Sequence, residues 1–306
     1  MYKYSVSTYI NEQKNYQDDF IFGINLKTGT KFKLLNCYIS FDRGNKGKES
    51  ELITIDYFSE DENIQEIKKN IERSVHVLSY LLAFPIDDYS SVYKEDIGDA
   101  YEVEVTQDYK KINHIDFINN KILGLDDKLE SLFYHNIKLI HIGQKYNFAY
   151  GFTEDAFINF FKILENIAAF KYSNNTKKYR LDVSSYNLDL KIKEILEDSL
   201  GIEYSEAQIE NITNNVASTI CKNATTSAFF KISIFCKENN IPVNAQVLHE
   251  AIKVRNKIAH GDCIREEDID NVHIDICKLA YNFIAYNFFN ENYTTITIPS
   301  DIRTYE

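Results

Sequence analysis

The stretch Asn244-Ala245-Gln246-Val247-Leu248-His249-Glu250-Ala251-Ile252-Lys253-Val254-Arg255-Asn256-Lys257-Ile258-Ala259-His260-Gly261 has the period of an amphipathic helix. At about 100° per residue, Val247, Ala251, Val254 and Ile258 fall on one face. His249, Lys253, Asn256 and His260 fall on a stripe nearly opposite, and Arg255 lies at the boundary, where a long side chain reaches either way. Pro242 with Asn244 marks the start of the helix, and Gly261 marks its end.

The same period extends outward on both sides. Phe157, Phe160, Phe161, Leu164, Ile167 and Ala168 form an apolar stripe behind a Thr153-Glu154-Asp155 cap region. Further helices are predicted at Leu188–Leu200, Glu206–Lys222, Thr225–Asn239 and Glu266–Phe289. Everything from Gly151 onward therefore reads as helical.

Before it, the pattern is mixed. Tyr4–Ile10, Phe20–Leu26, Lys31–Phe41 and Leu52–Phe58 are rich in aromatic and β-branched residues and read as strands, with a hairpin turn at Lys27-Thr28-Gly29-Thr30. Ile64, Ile67, Ile71, Val75, Leu78 and Leu82 recur at helical spacing until Pro85. Tyr101–Thr106 reads as another strand, and Asp126–Tyr146 as another helix. The expected fold is an α+β N-terminal domain, residues 1–147, followed by an all-α helical bundle, residues 148–306. No Pro-, Gly- or Ser-rich linker separates the two parts, which points to domains packed together.

Composition narrows the function. With 44% hydrophobic and 26% charged residues, the chain is expected to bury a sizeable core. Its apolar runs are broken by polar residues, and Met1-Tyr2-Lys3-Tyr4-Ser5 lacks the apolar stretch of a secretory signal. A cytoplasmic protein with no membrane partner is expected. Five cysteines without a C-x-x-C pair fit buried thiols in a reducing compartment. The net charge of −12 argues against bulk electrostatic coating of nucleic acid, so an RNA substrate must be held locally or its approach gated.

Metal-independent RNA cleavage needs a base for the 2′-hydroxyl, an acid for the leaving 5′-oxygen and a cation for the phosphorane. The helix Asn244–His260 supplies one imidazole and one guanidinium. Two copies meeting across a two-fold axis supply two of each, so a homodimer is expected. Carbonyls at the helix end favour the imidazolium form of His260, while Arg255 opposes it. A capping histidine beside a solvated arginine is the plain structural alternative.

Arg255-Asn256-x-x-x-His260-Gly261 resembles the R-x(4–6)-H motif of HEPN domains, including the polar residue that often follows the arginine. The helix opening near Thr153 and carrying Leu164-Glu165 is similar to the first helix of the Apea-like branch, which includes antiphage and abortive-infection proteins with an N-terminal α+β region. The resemblance covers roughly residues 150–290. It implies an HEPN-like ribonuclease domain with Arg255 and His260 catalytic and Asn256 orienting them or the phosphate. It also implies supporting roles for Glu165, as a partner of Arg255, and for Lys253. The implied activity is an endoribonuclease that cleaves tRNA or other RNA in antiviral defence. The N-terminal domain would sense or regulate, answering to a phage-derived trigger or an antitoxin partner. The alternative is a non-catalytic module binding a partner protein, such as a nucleotidyltransferase, or a nucleotide. A structural helical adaptor is a third reading, and it leaves the polar stripe unexplained.

Weaker signals surround this one. Lys177, Lys178 and Arg180, with Lys171 nearby, form a basic knot that is either an RNA contact or an ordinary solvated loop. Arg43-Gly44-Asn45-Lys46-Gly47-Lys48-Glu49 departs from a phosphate loop, having Asp42 where glycine is needed and Glu49 where serine or threonine is needed. His135 and His141 are six apart and complete no ligand set, so neither a metal nor a cofactor is expected. His76 is read as a packing residue. The 22 tyrosines and 20 phenylalanines follow strand and helix periods, which assigns most of them to the core.

Overall fold

The computed structural model describes residues 1–11, 31–43, 50–86, 91–98, 113–172, 187–201 and 204–296. A five-stranded antiparallel sheet is followed by a helical region, an α+β N-terminal part and an all-α C-terminal bundle. The strands are β1 (Tyr2–Asn11), β2 (Lys31–Leu34), β3 (Cys37–Arg43), β4 (Ser50–Ser59) and β5 (Tyr93–Asp96), in the order β2-β3-β4-β1-β5. The helices are α1 (Ile64–Leu82), α2 (Asn113–Leu123), α3 (Asp127–Tyr150), α4 (Glu154–Tyr172) and α5 (Leu188–Leu200). They continue as α6 (Glu206–Thr226), α7 (Ala228–Glu238), α8 (Ala245–His260), α9 (Glu266–Ile284) and the short α10 (Tyr293–Ile296).

Alternation builds the sheet. Val6 pairs with Ile55 and Thr8 with Ile53, while Ile39 and Phe41 pair with the same two isoleucines from the other side. All six side chains are buried, five of them apolar with Thr8 among them, giving one continuous buried face. α1 contacts this sheet through Ser74, whose Oγ donates to the Leu34 carbonyl at 3.4 Å. On β4 the half-polar side of the sheet carries Asp56, which accepts from Ser5 Oγ at 2.6 Å and lies 3.3 Å from Lys3 Nζ.

The run Lys31–Phe41, expected as one strand, is a hairpin. Leu35 takes a left-handed backbone, φ 53°, between β2 and β3. A buried leucine is a poor turn signal, because turns are usually marked by Gly, Asn or Asp. β5 and α2 were not expected from periodicity. The expected strands Phe20–Leu26 and Tyr101–Thr106, and the turn Lys27–Thr30, lie outside the described residues.

Two compact units emerge from packing: Met1–Leu164 with Lys253–Glu306, and Glu165–Ile252. Periodicity alone puts the change of pattern near residue 147. What groups the distant segments of the first unit is a tyrosine cluster without local signature. Tyr80 of α1 stacks on Tyr281 of α9, with centroids 5.5 Å apart, and donates to the Tyr281 carbonyl at 3.0 Å. Tyr293 donates in turn to the Tyr80 carbonyl at 2.6 Å. Gln144 of α3 reaches both the Ser79 carbonyl, at 3.1 Å, and the Tyr281 hydroxyl. Ser79 Oγ also lies 3.1 Å from Nδ1 of the buried His141, against which the His76 ring packs at 4.6 Å.

The helix expected over Glu266–Phe289 stops being α-helical at Ile284 and closes with a wider π turn, Ala285–Phe289. Phe288 and Phe289 are both set edge-on against Phe133. The second unit holds α5, α6, α7 and the adjoining parts of α4 and α8. Tyr172 there donates to Glu238 at 2.6 Å, and Lys171 lies over the Phe235 ring at 4.8 Å. Among the described residues, no helix is long and apolar enough to cross a membrane.

Candidate functional site at the end of α8

Asn244 starts α8 as its sequence predicts: its Oδ1 accepts from the backbone of Gln246 at 2.9 Å and of Val247 at 3.4 Å. The buried face is centred on Leu248, Ala251 and Val254. Val247 and Ile258, expected on that face, are only half-buried. The shift brings Leu248 inward, a residue the simple four-position spacing leaves out.

Termination is equally local. Gly261 takes φ 73°, its N–H reaches the Ile258 carbonyl at 3.1 Å, and the Asp262 N–H reaches the Lys257 carbonyl at 3.0 Å. This paired fold-back is the Schellman arrangement, for which a left-handed glycine is the usual solution. His260 is thereby held at the last helical position, directly before the turn.

The side chains of Lys253, Asn256, Lys257 and His260 are exposed, and that of Arg255 is half-buried. Asn256 and His260 are four apart and Lys257 and His260 three apart, so all three share a face. Arg255 and His260 are five apart, about 140° round the axis by helical geometry. Arg255 Nη1 nevertheless donates at 3.2 Å to Oδ1 of Asn256, the side chain that shares a face with His260. Lys253, Arg255, Asn256 and His260 all belong to the first compact unit. His249, the far end of the polar stripe, belongs to the second, where its ring meets Phe229 edge-on at 6.4 Å. Glu165 is half-buried and also lies in the second unit. Lys177, Lys178 and Arg180 lie outside the described residues.

Periodicity missed one feature beside His260. Asp268, in the first turn of α9, gathers two cations: Arg265, with Nη2 2.8 Å from Oδ1, and Lys257, with Nζ 3.6 Å from Oδ2. The Arg265 hydrogen bond, reinforced by the charges of both cations, holds the Asp268 carboxyl below its ordinary range. The spacing Arg265-x-x-Asp268 was the available sequence signal, since residues three apart on a helix are neighbours. A second feature missed is His273 on α9, buried against Phe152, Phe157 and Phe160 with both ring nitrogens unpaired. Desolvation lowers its pKa to about 4, so it sits there neutral.

Among the described residues, no group of three or more His, Cys, Asp and Glu side chains is placed to hold a metal ion. No protein-family model matches the chain, and no curated protein and no solved structure matches it.

Proposed function

We propose that the chain is an HEPN-type endoribonuclease that needs no metal and whose chemistry is carried by Arg255 and His260. What supports this reading is the Arg255–Asn256 hydrogen bond at an exposed helix end, Asn256 being four residues from His260 on the same face of α8. In the proposed reaction a base removes the 2′-hydroxyl proton, and the alkoxide attacks the adjacent phosphorus. The P–O5′ bond then breaks as an imidazolium protonates the leaving oxygen. The products are a 2′,3′-cyclic phosphate and a free 5′-hydroxyl, and water is not consumed. Arg255 stabilises the charge gathering on the phosphorane oxygens, and Asn256 fixes the direction of the guanidinium. Acid and base are both needed, so the proposal includes a homodimer that sets two α8 ends around one phosphate. Cleavage of tRNA or other RNA in an infected cell, released by a trigger sensed through the sheet-bearing part, fits an acidic protein without a general affinity for nucleic acid.

A second reading is a non-catalytic HEPN module that binds a partner protein, such as a nucleotidyltransferase, or a nucleotide. It is favoured by the large apolar side chains left exposed on α5 and α6, namely Leu190, Ile195 and Ile220. One experiment separates the two. Purified protein is incubated with total cellular RNA in EDTA, and the new ends are typed. Cyclic phosphate ends that disappear in His260→Ala support the nuclease. Intact RNA, with a co-purifying protein or nucleotide, supports the module.

A further inference from the structure

Two cations, one of them three residues before His260, meet on one carboxylate that is the least exposed of the three. The Asp268 side chain is 21% exposed, whereas Lys257 is 47% and Arg265 is 75% exposed. The acid is the inner member, and the cations lie outermost. A staple whose only task is to tie α9 to α8 needs one cation with its charge turned toward the acid. Here a second is added, and Arg265 spends Nε, at 3.5 Å, and Nη2, at 2.8 Å, on Asp268 while Nη1 remains for another acceptor. Lys257 is three residues from His260 on the same helix face. Glu266 falls about 200° round the axis from Asp268, while Glu267, about 100° from it, adds its negative charge to the field at Arg265.

We propose that Lys257 and Arg265 form a phosphodiester-binding site for the RNA strand that His260 acts on, with Asp268 occupying the place of the phosphate until RNA displaces it. The proposal rests on the nuclease reading for its choice of ligand. A phosphodiester offers two unesterified oxygens in a geometry close to that of a carboxylate, so the same donors serve both. An exposed ion pair is worth little in water, so Asp268 is a weak resident that a polyanion can replace. Its ionised state is favoured by its two partners, so it competes throughout the neutral range. A protein of net charge −12 thereby presents these two cations to RNA against an internal competitor.

The test uses the full chain and a fluorescent single-stranded oligoribonucleotide carrying 2′-O-methyl groups, which binds but cannot be cleaved. Anisotropy titrations are run at several KCl concentrations. Asp268→Asn is expected to tighten binding three- to tenfold at low salt and to steepen the salt slope by about 0.7, the value for one more phosphate contact on a single strand. Lys257→Gln and Arg265→Gln are expected to weaken binding by a similar factor and to flatten the slope. Circular dichroism and thermal midpoints confirm that each variant is folded. If a folded Asp268→Asn binds no more tightly than the parent, the proposal fails. It also fails if neither protein binds the probe at 100 μM, or if poly-glutamate competes at Lys257 and Arg265 better than RNA. The two readings fail separately. Binding that shifts as stated, with no cleavage of natural RNA, removes the nuclease and keeps the site; cleavage lost in His260→Ala without these shifts does the reverse.

Discussion

Asn119 on α2 accepts the backbone N–H of Leu35 at 2.7 Å, across 84 residues of chain, and donates from its Nδ2 to the Lys33 carbonyl at 3.0 Å. One amide side chain thus holds both sides of the β2–β3 turn and stabilises a leucine in left-handed backbone, where a branched side chain is unfavourable. Asn119→Ala removes both bonds and leaves the Leu35 N–H buried without a partner. A loss of about 2–3 kcal/mol is expected, read as a lower urea midpoint with unchanged slope. Asn119→Asp keeps only the acceptor and is expected to fall between the two.

Gly143 on α3 faces the end of the Phe160 ring, and a β-carbon there would meet the ring at 2.9 Å. Phe160 is fully buried and edge-on to His273, so it has little room to withdraw. Gly143→Ala is therefore expected to destabilise the protein by about 1–3 kcal/mol of overpacking, against about 1 kcal/mol gained in helix propensity. Thermal unfolding measures the balance. A midpoint above that of the parent would show that the ring moves freely.

His273 gives the stability an acid limit. Its pKa is about 4 in the fold and about 6.5 in an unfolded chain, so the unfolded state takes up the proton first. The stabilisation is complete above pH 6.5, declines as pH falls toward 4, and amounts to about 3 kcal/mol by linkage. His273→Leu removes the group that titrates. Between pH 7 and pH 4 the variant is expected to lose less stability than the parent, and parallel curves for the two would refute the assignment.

At the α8 end, His260→Ala is expected to lower RNA cleavage in EDTA by about 10²–10⁴-fold, the usual worth of a positioned acid or base. Arg255→Ala is expected to cost about 10²–10³-fold, as for other groups that stabilise a developing oxyanion. Asn256→Ala, which removes one hydrogen bond from the guanidinium, is expected to act more mildly, on the order of tenfold. Asn256 and His260 are exposed, so their variants should keep unfolding stability within about 1 kcal/mol of the parent. Full cleavage by folded His260→Ala removes the imidazole from the mechanism.

Much of this architecture is written in local periods. The spacing of Ile67, Ile71, Val75 and Leu78 gives α1, and Gly201 and Gly261 mark the ends of α5 and α8. α8 could be placed because its caps and its apolar face are all short-range. What escaped depends on distance. The turn at Leu35 is held from α2, and the sequence around it looks like uninterrupted strand. β5, Tyr93-Lys94-Glu95-Asp96, is exposed along its length and carries no alternation, yet Lys94 lies 3.8 Å over the Tyr2 ring of β1 and pairs with Glu62. The tyrosine cluster joining α1 to α9 has no period at all. At the candidate site the motif residues were legible, but the Asp268 anchor and the Arg255–Asn256 hydrogen bond are matters of rotamer and loop closure.

The π turn after α9 bears on how the chain tolerates changes of length. It spends one residue more than an ordinary turn, and Asn290, at φ 59°, returns the backbone to register before Tyr293. Deleting any single residue between Ala285 and Phe289 would leave an unremarkable α-helix, yet would rotate everything downstream by about 100°. Tyr293 would then swing off the Tyr80 carbonyl, 213 positions away. A one-residue deletion in this turn would thus surface as a fault at the first helix.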